Sequence, residues 1–527
     1  MDGDESESLE FSIVKRAIAS FPAYAVKDLL SIGVCPRCIL RLFGVKDNVY
    51  SFSHFSKSFL CSVLERTTSI VTMGKDNDIE HEYNKVIAPP KSEATNELCI
   101  ICFGILQFVY VYNKEPNLIS EESGKDDLAV LVADLVKNAG YESDGFFLEV
   151  SVPSAIMINE QNIWSYMKNK YGSEDWYNKI IAANRLSVKD TLKLSITKSL
   201  ENLLATRSAA QSFRIRMTYT HMGSSGNPVD YPCSGLDCCR KRKADDDVDT
   251  QSAPVINQDN LPTGSKSLLQ EGKQPCELQV TFCKTPIYIG GRYLKYTRNV
   301  SQTRWIIDDE RMGEASVEEL IGKVIISKLG AENFKFHAAG REDIDVRMLG
   351  SGRPFLVEVT NARTIPACDD IREIVHLINN EKRRLIGVKN VKIVGKEAWD
   401  LMREGEAEKQ KQYSALVWIS RPLTDQDLEY ISNVKDLEVS QRTPIRVLHR
   451  RSPLERKRII HWMRGQRVAG SSQYFMLHLC TQAGTYIKEF VHGDLGRTDP
   501  SMNSLLGCRA EILQLDVTDV KMECFNQ

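Results

Sequence analysis

The sequence predicts a mixed α/β (α+β) protein with two folded regions, and three observations carry that expectation. Segments that alternate apolar and polar residues, the period of a half-buried strand, recur between segments with helix caps. A chain of 527 residues exceeds the roughly 250 to 300 at which single hydrophobic cores stop growing. Residues 221–274, rich in Gly, Ser, Pro, Asn and Asp, have no apolar period and read as a disordered insertion or linker between folded regions at 1–220 and 275–527.

Phe146 to Val152 alternates as a strand. Ser187 with Asp190 resembles a capping box that opens a helix to about Arg207, and Phe213 to Tyr219 alternates again, which completes a strand, helix, strand unit. After the linker a strand is expected at Leu278 to Phe282. A helix follows from Ser316, capped through Glu319 and stopped at Gly330. Further strands are expected near Phe334 to Ala338, Phe355 to Val359, Tyr413 to Ile419 and Tyr474 to Cys480. Helices that interrupt strands in this way make a mixed sheet the natural architecture.

Hydrophobic residues make 42% of the chain and charged residues 26%, values of a folded globular protein rather than a disordered or fibrous one. The acidic N-terminus lacks the basic start and apolar stretch of a signal peptide, so an intracellular protein is expected, nuclear and/or cytoplasmic. The block Arg240 to Lys243 is a candidate nuclear import signal. The longest apolar run, Leu98 to Tyr112, is interrupted by Gly104 and Gln107 and falls short of the ~20 residues that span a bilayer, so no membrane segment is expected.

The net charge of −2 hides an asymmetry of about −6 up to Cys276 and about +4 beyond it. Arg442 to Arg467 holds nine cations (Arg442, Arg446, Arg450, Arg451, Arg456, Lys457, Arg458, Arg464 and Arg467) against the single anion Glu455. That density suggests a polyanionic partner, the alternative being a solvated surface helix.

Fourteen cysteines in a reducing compartment are read as thiols or metal ligands rather than disulfides. Cys35-Pro-Arg-Cys38 and Cys99-Ile-Ile-Cys102 are two C-x-x-C knuckles whose four thiolates would close a tetrahedral structural zinc site, with no position left for water. A redox C-x-x-C or two unrelated pairs is the alternative.

Three segments carry chemistry. Gly340-Arg-Glu-Asp343-Ile-Asp-Val-Arg347 puts a carboxylate on a strand-edge loop between Arg341 and Arg347, whose charge would keep it ionised. Lys411-Gln-Tyr413-Ser-Ala-Leu-Val417 starts an apolar strand with an aromatic. In Gly484-Thr-Tyr-Ile487-Lys488-Glu-Phe-Val-His-Gly-Asp494 a glycine turn delivers a strand into a short helix with a cation on its first turn.

In this order the segments resemble pseudouridine synthases. The resemblance is nearest to the archaeal and eukaryotic T-loop tRNA enzymes of the Pus-ten family, and it covers nearly the whole chain. It rests on the paired knuckles, Gly291-Arg-Tyr-Leu-Lys-Tyr-Thr-Arg298, the Gly340 loop, Thr443-Pro-Ile-Arg-Val-Leu-His-Arg-Arg451 and Gly484 to Asp494. Gly484 to Lys488 is also similar to the Gly-Thr-Tyr-Ile-Arg segment of the TruB family, with Lys for Arg, an exchange that keeps the charge but loses the bidentate fork.

The resemblance implies a zinc-binding, THUMP-containing RNA-binding domain over 1–220, then a pseudouridine synthase mixed-sheet catalytic domain over 275–527. It implies an isomerase that turns uridine 54 and/or 55 of the tRNA T loop into pseudouridine. Asp343 acts at the ribose, Tyr413 stacks on the base and assists loss of the C5 proton, and Lys488 pairs with Asp343 and orients it. Arg341, Arg347, Ile487, Leu515, Arg450 and Arg451 are the expected substrate contacts, with Leu513 an alternative to Leu515 as the pocket aliphatic. No organic cofactor is needed, and Gly350-Ser-Gly352-Arg353, the nearest approach to a Gly-rich phosphate loop, lacks its third Gly. The expected partner is tRNA, with other structured RNA a further candidate, and the chain is expected to act as a monomer. The rival readings are a non-catalytic RNA-binding scaffold in RNA processing and a THUMP-linked methyltransferase, for which no Gly-rich methyl-donor loop is present.

Overall fold

A computed structural model describes residues 9–46, 48–52, 55–72, 97–112, 125–182, 185–209, 212–221, 274–382, 384–408, 410–449, 451–522 and 525. Arg450, the block Arg240 to Lys243 and all of the expected linker but its first and last residues lie outside them. The chain divides into two compact units, Met1–Lys284 and Thr285–Gln527, each with its own hydrophobic core. Among the described residues no helix is long and apolar enough to cross a membrane.

The first unit holds a four-stranded sheet of β1 (Tyr110–Tyr112), β2 (Phe147–Ser151), β3 (Phe213–Thr220) and β4 (Cys276–Lys284), in the order β1-β4-β3-β2. β2 and β3 run parallel, and the connection between them is helical, its last helix being Val188–Leu204. Ser187 caps that helix by accepting from the Asp190 amide at 3.1 Å, as the sequence predicts. Burial alternates strictly along β3, so Phe213, Ile215, Met217 and Tyr219 face the core.

The boundary expected at 274/275 differs from the division the structure shows, which follows Lys284. The strand expected at Leu278 to Phe282 forms as β4, but it inserts between β1 and β3 and completes the sheet of the first unit. Its alternation is visible in the sequence; its partners are not, because pairing is long-range.

The second unit is built on a ten-stranded mixed sheet. Its strands are β5 (Ile287–Lys295), then, after four two-residue strands β6 (Val300–Ser301), β7 (Ile306–Ile307), β8 (Glu310–Arg311) and β9 (Ala315–Ser316) that form two small ribbons, β10 (Asn333–Ala338), β11 (Arg347–Thr360), β12 (Ile386–Val394), β13 (Lys411–Ile419), β14 (Lys435–Arg442), β15 (Glu455–Arg467), β16 (Tyr474–Thr481), β17 (Thr498–Asp499) and β18 (Ala510–Val520). The order is β12-β5-β11-β18-β13-β16-β15-β14-β17, with β10 paired to β11 off that path. The helix Val317–Leu329 lies before β10, with Ser316 as N-cap and Gly330 in the left-handed conformation as C-cap, as its sequence signals demand.

β11 is the hinge of this sheet. Its first residues, Arg347 and Met348, pair in parallel with Asp516 and Val517 of β18, and from Arg353 onward it pairs with β5 and β10. The register shift falls at Gly350 (φ 63°) and Gly352 (φ 80°), where an added Cβ at Gly350 would collide with the Thr518 carbonyl. The Gly350 to Arg353 segment is therefore a bulged strand and not a phosphate loop.

The basic stripe is not a helix. It comprises the end of β14, a single 3₁₀ turn at Ile445–Val447, and β15. Its imbalance of charge is also smaller in space than in sequence, because neighbouring elements bring acids to it: Lys457 pairs with Glu438 at 2.8 Å and Arg467 with Asp425 at 2.8 Å, while Arg442 meets Glu455 at 3.2 Å.

Candidate active site and candidate metal centre

The loop between β10 and β11 carries Asp343, and buried polar groups hold it from below. Gly340 enters with φ 87°, and a Cβ there would press on the Arg353 guanidinium and the Lys411 ammonium. Arg353 donates from Nη1 to the Ala339 carbonyl at 2.8 Å and from Nε to Glu342 at 2.8 Å, with both side chains of that ion pair buried. Tyr293 donates its hydroxyl to Glu342 at 2.8 Å, and Gln302 donates to Tyr293 and to the Gly340 carbonyl, each at 2.8 Å. The fully buried ammonium of Lys295, at the end of β5, donates to the carbonyls of Val300 at 2.7 Å and of Asp343 and Ile344, both at 3.0 Å. Burial pushes that ammonium down, from 10.5 to about 8, against the pull of Glu342 and Asp345.

At the top of the loop Asp343 Oδ2 faces two cations, Arg446 Nη1 at 3.1 Å and Lys488 Nζ at 3.4 Å. Lys488 lies closer to the neighbouring carboxylate, reaching both oxygens of Asp345 at 2.8 and 2.9 Å. Burial raises the Asp345 carboxyl, but the hydrogen bond and charge of Lys488, with Lys295 behind, hold it below its ordinary value.

The cations that flank Asp343 in sequence are engaged elsewhere. Arg341 donates to the Thr303 hydroxyl at 3.2 Å. Arg347 makes a two-pronged pair with Asp516, at 2.9 and 2.6 Å, where Arg298 also binds at 2.6 Å. Arg347 thus ties β11 to β18, and its fork is filled by a carboxylate of the protein.

Tyr413 sits in the same row of the sheet as Val517 and Met348, and Ala415 pairs with Leu515 two residues along. A bulge between Gln412 and Tyr413 marks the point. Burial pushes the Tyr413 phenol up to about 12 even with Arg353 near, so it keeps its proton at neutral pH. Leu515 is buried at 7% exposure and Leu513 is exposed at 53%, which favours Leu515 as a pocket wall. Ile487 is buried at the start of the short helix Ile487–His492 that presents Lys488. Arg451 is exposed.

Sequence reasoning misses two participants. Arg446 reads in sequence only as one more cation of the stripe, and Glu489, adjacent to Lys488, carries no signal of its own. Glu489 is 1% exposed and accepts from Arg446 Nε at 2.7 Å. Both stand in motifs quoted above, but a pairing across 43 residues leaves no periodic trace.

In the first unit, Cys35, Cys38, Cys99 and Cys102 are all buried, and their sulfurs lie within 4.8 Å of one another. The Cys35 knuckle opens the helix Pro36–Leu42, and the Ile100 amide donates to the Gly33 carbonyl at 3.2 Å, which docks one knuckle on the other. Backbone amides of Cys35 and Leu106 point at the sulfurs of Cys99 and Cys102, at 3.3 and 3.5 Å. Four converging sulfurs with amides directed at them fit a metal ion. The two halves of this site are brought together as the pairing of the knuckles predicts.

Comparison with known proteins follows the same division. The family described as "Pus10, C-terminal" matches residues 288–521, and "Eukaryotic Pus10, N-terminal" matches residues 99–261. The human protein named tRNA pseudouridine synthase Pus10 is 32% identical over 531 residues, covering 94% of this chain and 96% of its own. A Drosophila melanogaster relative, named a putative enzyme of the same kind, is 27% identical with the same coverage. The Pus10 of the archaeon Thermofilum pendens is 39% identical over 238 residues, 45% of this chain and 53% of its own.

Proposed function

The chain belongs to the Pus10 family of tRNA pseudouridine synthases, and from that premise we propose that it isomerises uridine 54 and/or 55 in the tRNA T loop, acting as a monomer, with Asp343 as the catalytic carboxylate. The observation that carries this reading is the Asp343 carboxylate on a loop braced from beneath by Lys295, Arg353 and Glu342, with Arg446 and Lys488 at ion-pair distance from one oxygen.

In the reaction the C1′–N1 bond breaks, the uracil turns over, C5 bonds to C1′, and the C5 proton is lost while N1 gains one. Attack at C1′ and proton removal at C2′ both call on a carboxylate at the ribose, and Arg446 and Lys488 beside Asp343 orient it for either step. Tyr413, whose phenol burial pushes up to about 12, stacks on the base and assists loss of the C5 proton. Ile487 and Leu515 supply apolar walls. Extrusion of the uridine from its stack costs a few kcal/mol. Phosphate contacts from the exposed cations of β15 and from Arg451, with stacking on the exposed Trp462, offset that cost.

Cys35, Cys38, Cys99 and Cys102 would hold zinc in the first unit. A four-thiolate zinc stabilises the fold around it and supplies no open coordination position. The mixed sheet of the first unit then acts as the THUMP-like grip on tRNA.

The test is Asp343→Asn with unmodified tRNA and no additive. Tritium release from C5-labelled uridine should vanish while filter binding stays near the wild-type value, because affinity resides in distributed phosphate contacts. Turnover by Asp343→Asn would overturn the assignment.

A further inference from the structure

We propose that Arg446 is a positioning residue for Asp343, anchored by the buried carboxylate of Glu489, and not one of the phosphate-binding cations of the basic stripe. The proposal rests on the assignment of Asp343 as the catalytic carboxylate.

The geometry is a relay of three groups. Glu489 is almost without exposure, and a buried carboxylate needs a fixed cation to compensate for its lost hydration. Arg446 supplies it, with Nε on Oε1 at 2.7 Å and Nη2 near Oε2 at 3.5 Å. The remaining terminal nitrogen, Nη1, lies 3.1 Å from Asp343 Oδ2. A planar guanidinium fixed along one edge cannot swing, so its other edge sets the orientation of the carboxylate it meets.

Both ends of the relay are themselves fixed. The Ile445–Val447 turn that carries Arg446 is held by the Ile445 amide, which points at Asp494 Oδ2 at 3.4 Å. The helix that carries Glu489 is held at its start by Gln441 of β14, which exchanges two hydrogen bonds with the Tyr486 backbone at 3.0 and 2.9 Å. Two consecutive residues of that helix therefore serve the loop differently. Lys488 takes Asp345 with both oxygens and Asp343 at 3.4 Å, while Glu489 sends Arg446 to Asp343 at the shorter distance. A lysine at position 488 offers no fork; Arg446 spends its fork on Glu489 and meets Asp343 with the one nitrogen that remains, Nη1.

Arg446 also differs from the rest of its stripe. Its three nitrogens are directed at two carboxylates of the protein, one of them buried, and RNA phosphate would have to compete with both.

The experiment compares wild type, Arg446→Ala, Arg446→Lys, Glu489→Gln and Asp343→Asn in single-turnover isomerisation of unmodified tRNA at saturating enzyme, with filter binding and thermal melting on the same samples. Arg446→Ala should lower the rate about 10²-fold, the scale of a reactive group displaced by an ångström, with affinity within about 3-fold of wild type. Added guanidinium ion should restore part of that rate, a rescue that a merely structural role would not allow. Arg446→Lys, which keeps charge and fold but cannot reach both carboxylates, should lose rate and keep affinity, and it decides the matter if the alanine variant does not fold. Glu489→Gln should fall in the same direction. Full rate in Arg446→Lys and Arg446→Ala, or weakened affinity with an unchanged rate at saturation, would overturn the proposal. Activity of Asp343→Asn would instead remove the assignment beneath it, so the two failures are distinguishable.

Discussion

Glu342→Gln should destabilise the second unit strongly although it alters a single charge next to the proposed catalytic residue. Glu342 and Arg353 form an ion pair whose side chains are 1% and 2% exposed. The amide keeps the shape of the carboxylate but leaves the Arg353 guanidinium buried without its counter-charge, a loss of about 3 to 5 kcal/mol for a broken buried pair. At roughly 2 to 4 °C per kcal/mol for a unit of this size, the melting temperature should fall by about 6 to 20 °C. Calorimetry on the full chain measures it. A double variant, Glu342→Leu with Arg353→Met, removes both charges and should melt above the single variant, because the cost lies in the orphaned charge and not in lost volume. A Glu342→Gln protein that melts within about 2 °C of wild type, or a double variant that melts below it, would refute the reasoning.

Other consequences are measurable on the same protein. Cys99→Ser should release a stoichiometric metal detected by elemental analysis in the wild-type protein and melt the first unit before the second, since metal affinity is folding free energy there. Arg456, Lys457 and Arg458 changed together to Ala should weaken tRNA binding and reduce the salt slope of log affinity by about 0.7 to 0.9 for each phosphate no longer neutralised, with Lys457 contributing least because Glu438 already holds it; wild-type affinity and slope would make β15 a solvated face. Lys295 is depressed from 10.5 to about 8 in the folded protein, so the unfolded chain binds more protons between those values and the contribution of Lys295 to stability should rise with pH across that window and be lost as pH falls through 8. Lys295→Met should abolish that rise in denaturation measured from pH 8 to 10.5.

The local signals in the sequence are legible where one element decides its own form. Ser187 with Asp190, and Ser316 with Gly330, mark the ends of two helices, and the alternation of Phe213 to Tyr219 marks a strand. The knuckles are legible for the same reason, because metal-ligand spacing is a local constraint. What cannot be read is partnership. β4 alternates like any strand, and only its pairing with β1 and β3 assigns it to the first unit. The stripe from Arg442 to Arg467 holds one anion of its own, although Glu438, Asp425 and Glu489 reach it from other elements. The loop around Asp343 is found through its motif, and the cations that meet it come from residues 103 and 145 positions away, beyond any window of periodicity.

The strand β4 gives the chain an uncommon severance behaviour. It follows residues 221–274 in sequence, yet all eight of its register positions from Glu277 to Lys284 are matched by β3, from Thr220 back to Phe213. A cut between β3 and β4 would therefore separate the chain into two polypeptides that still share one sheet, since the downstream piece keeps the strand that completes the upstream one. The two strands pair antiparallel, and the entropic cost of closing the connection between them rises by only about 0.6 kcal/mol for each doubling of its length. Its length is thus nearly free to vary among relatives, and the two pieces made separately should find each other by donating and accepting a single strand.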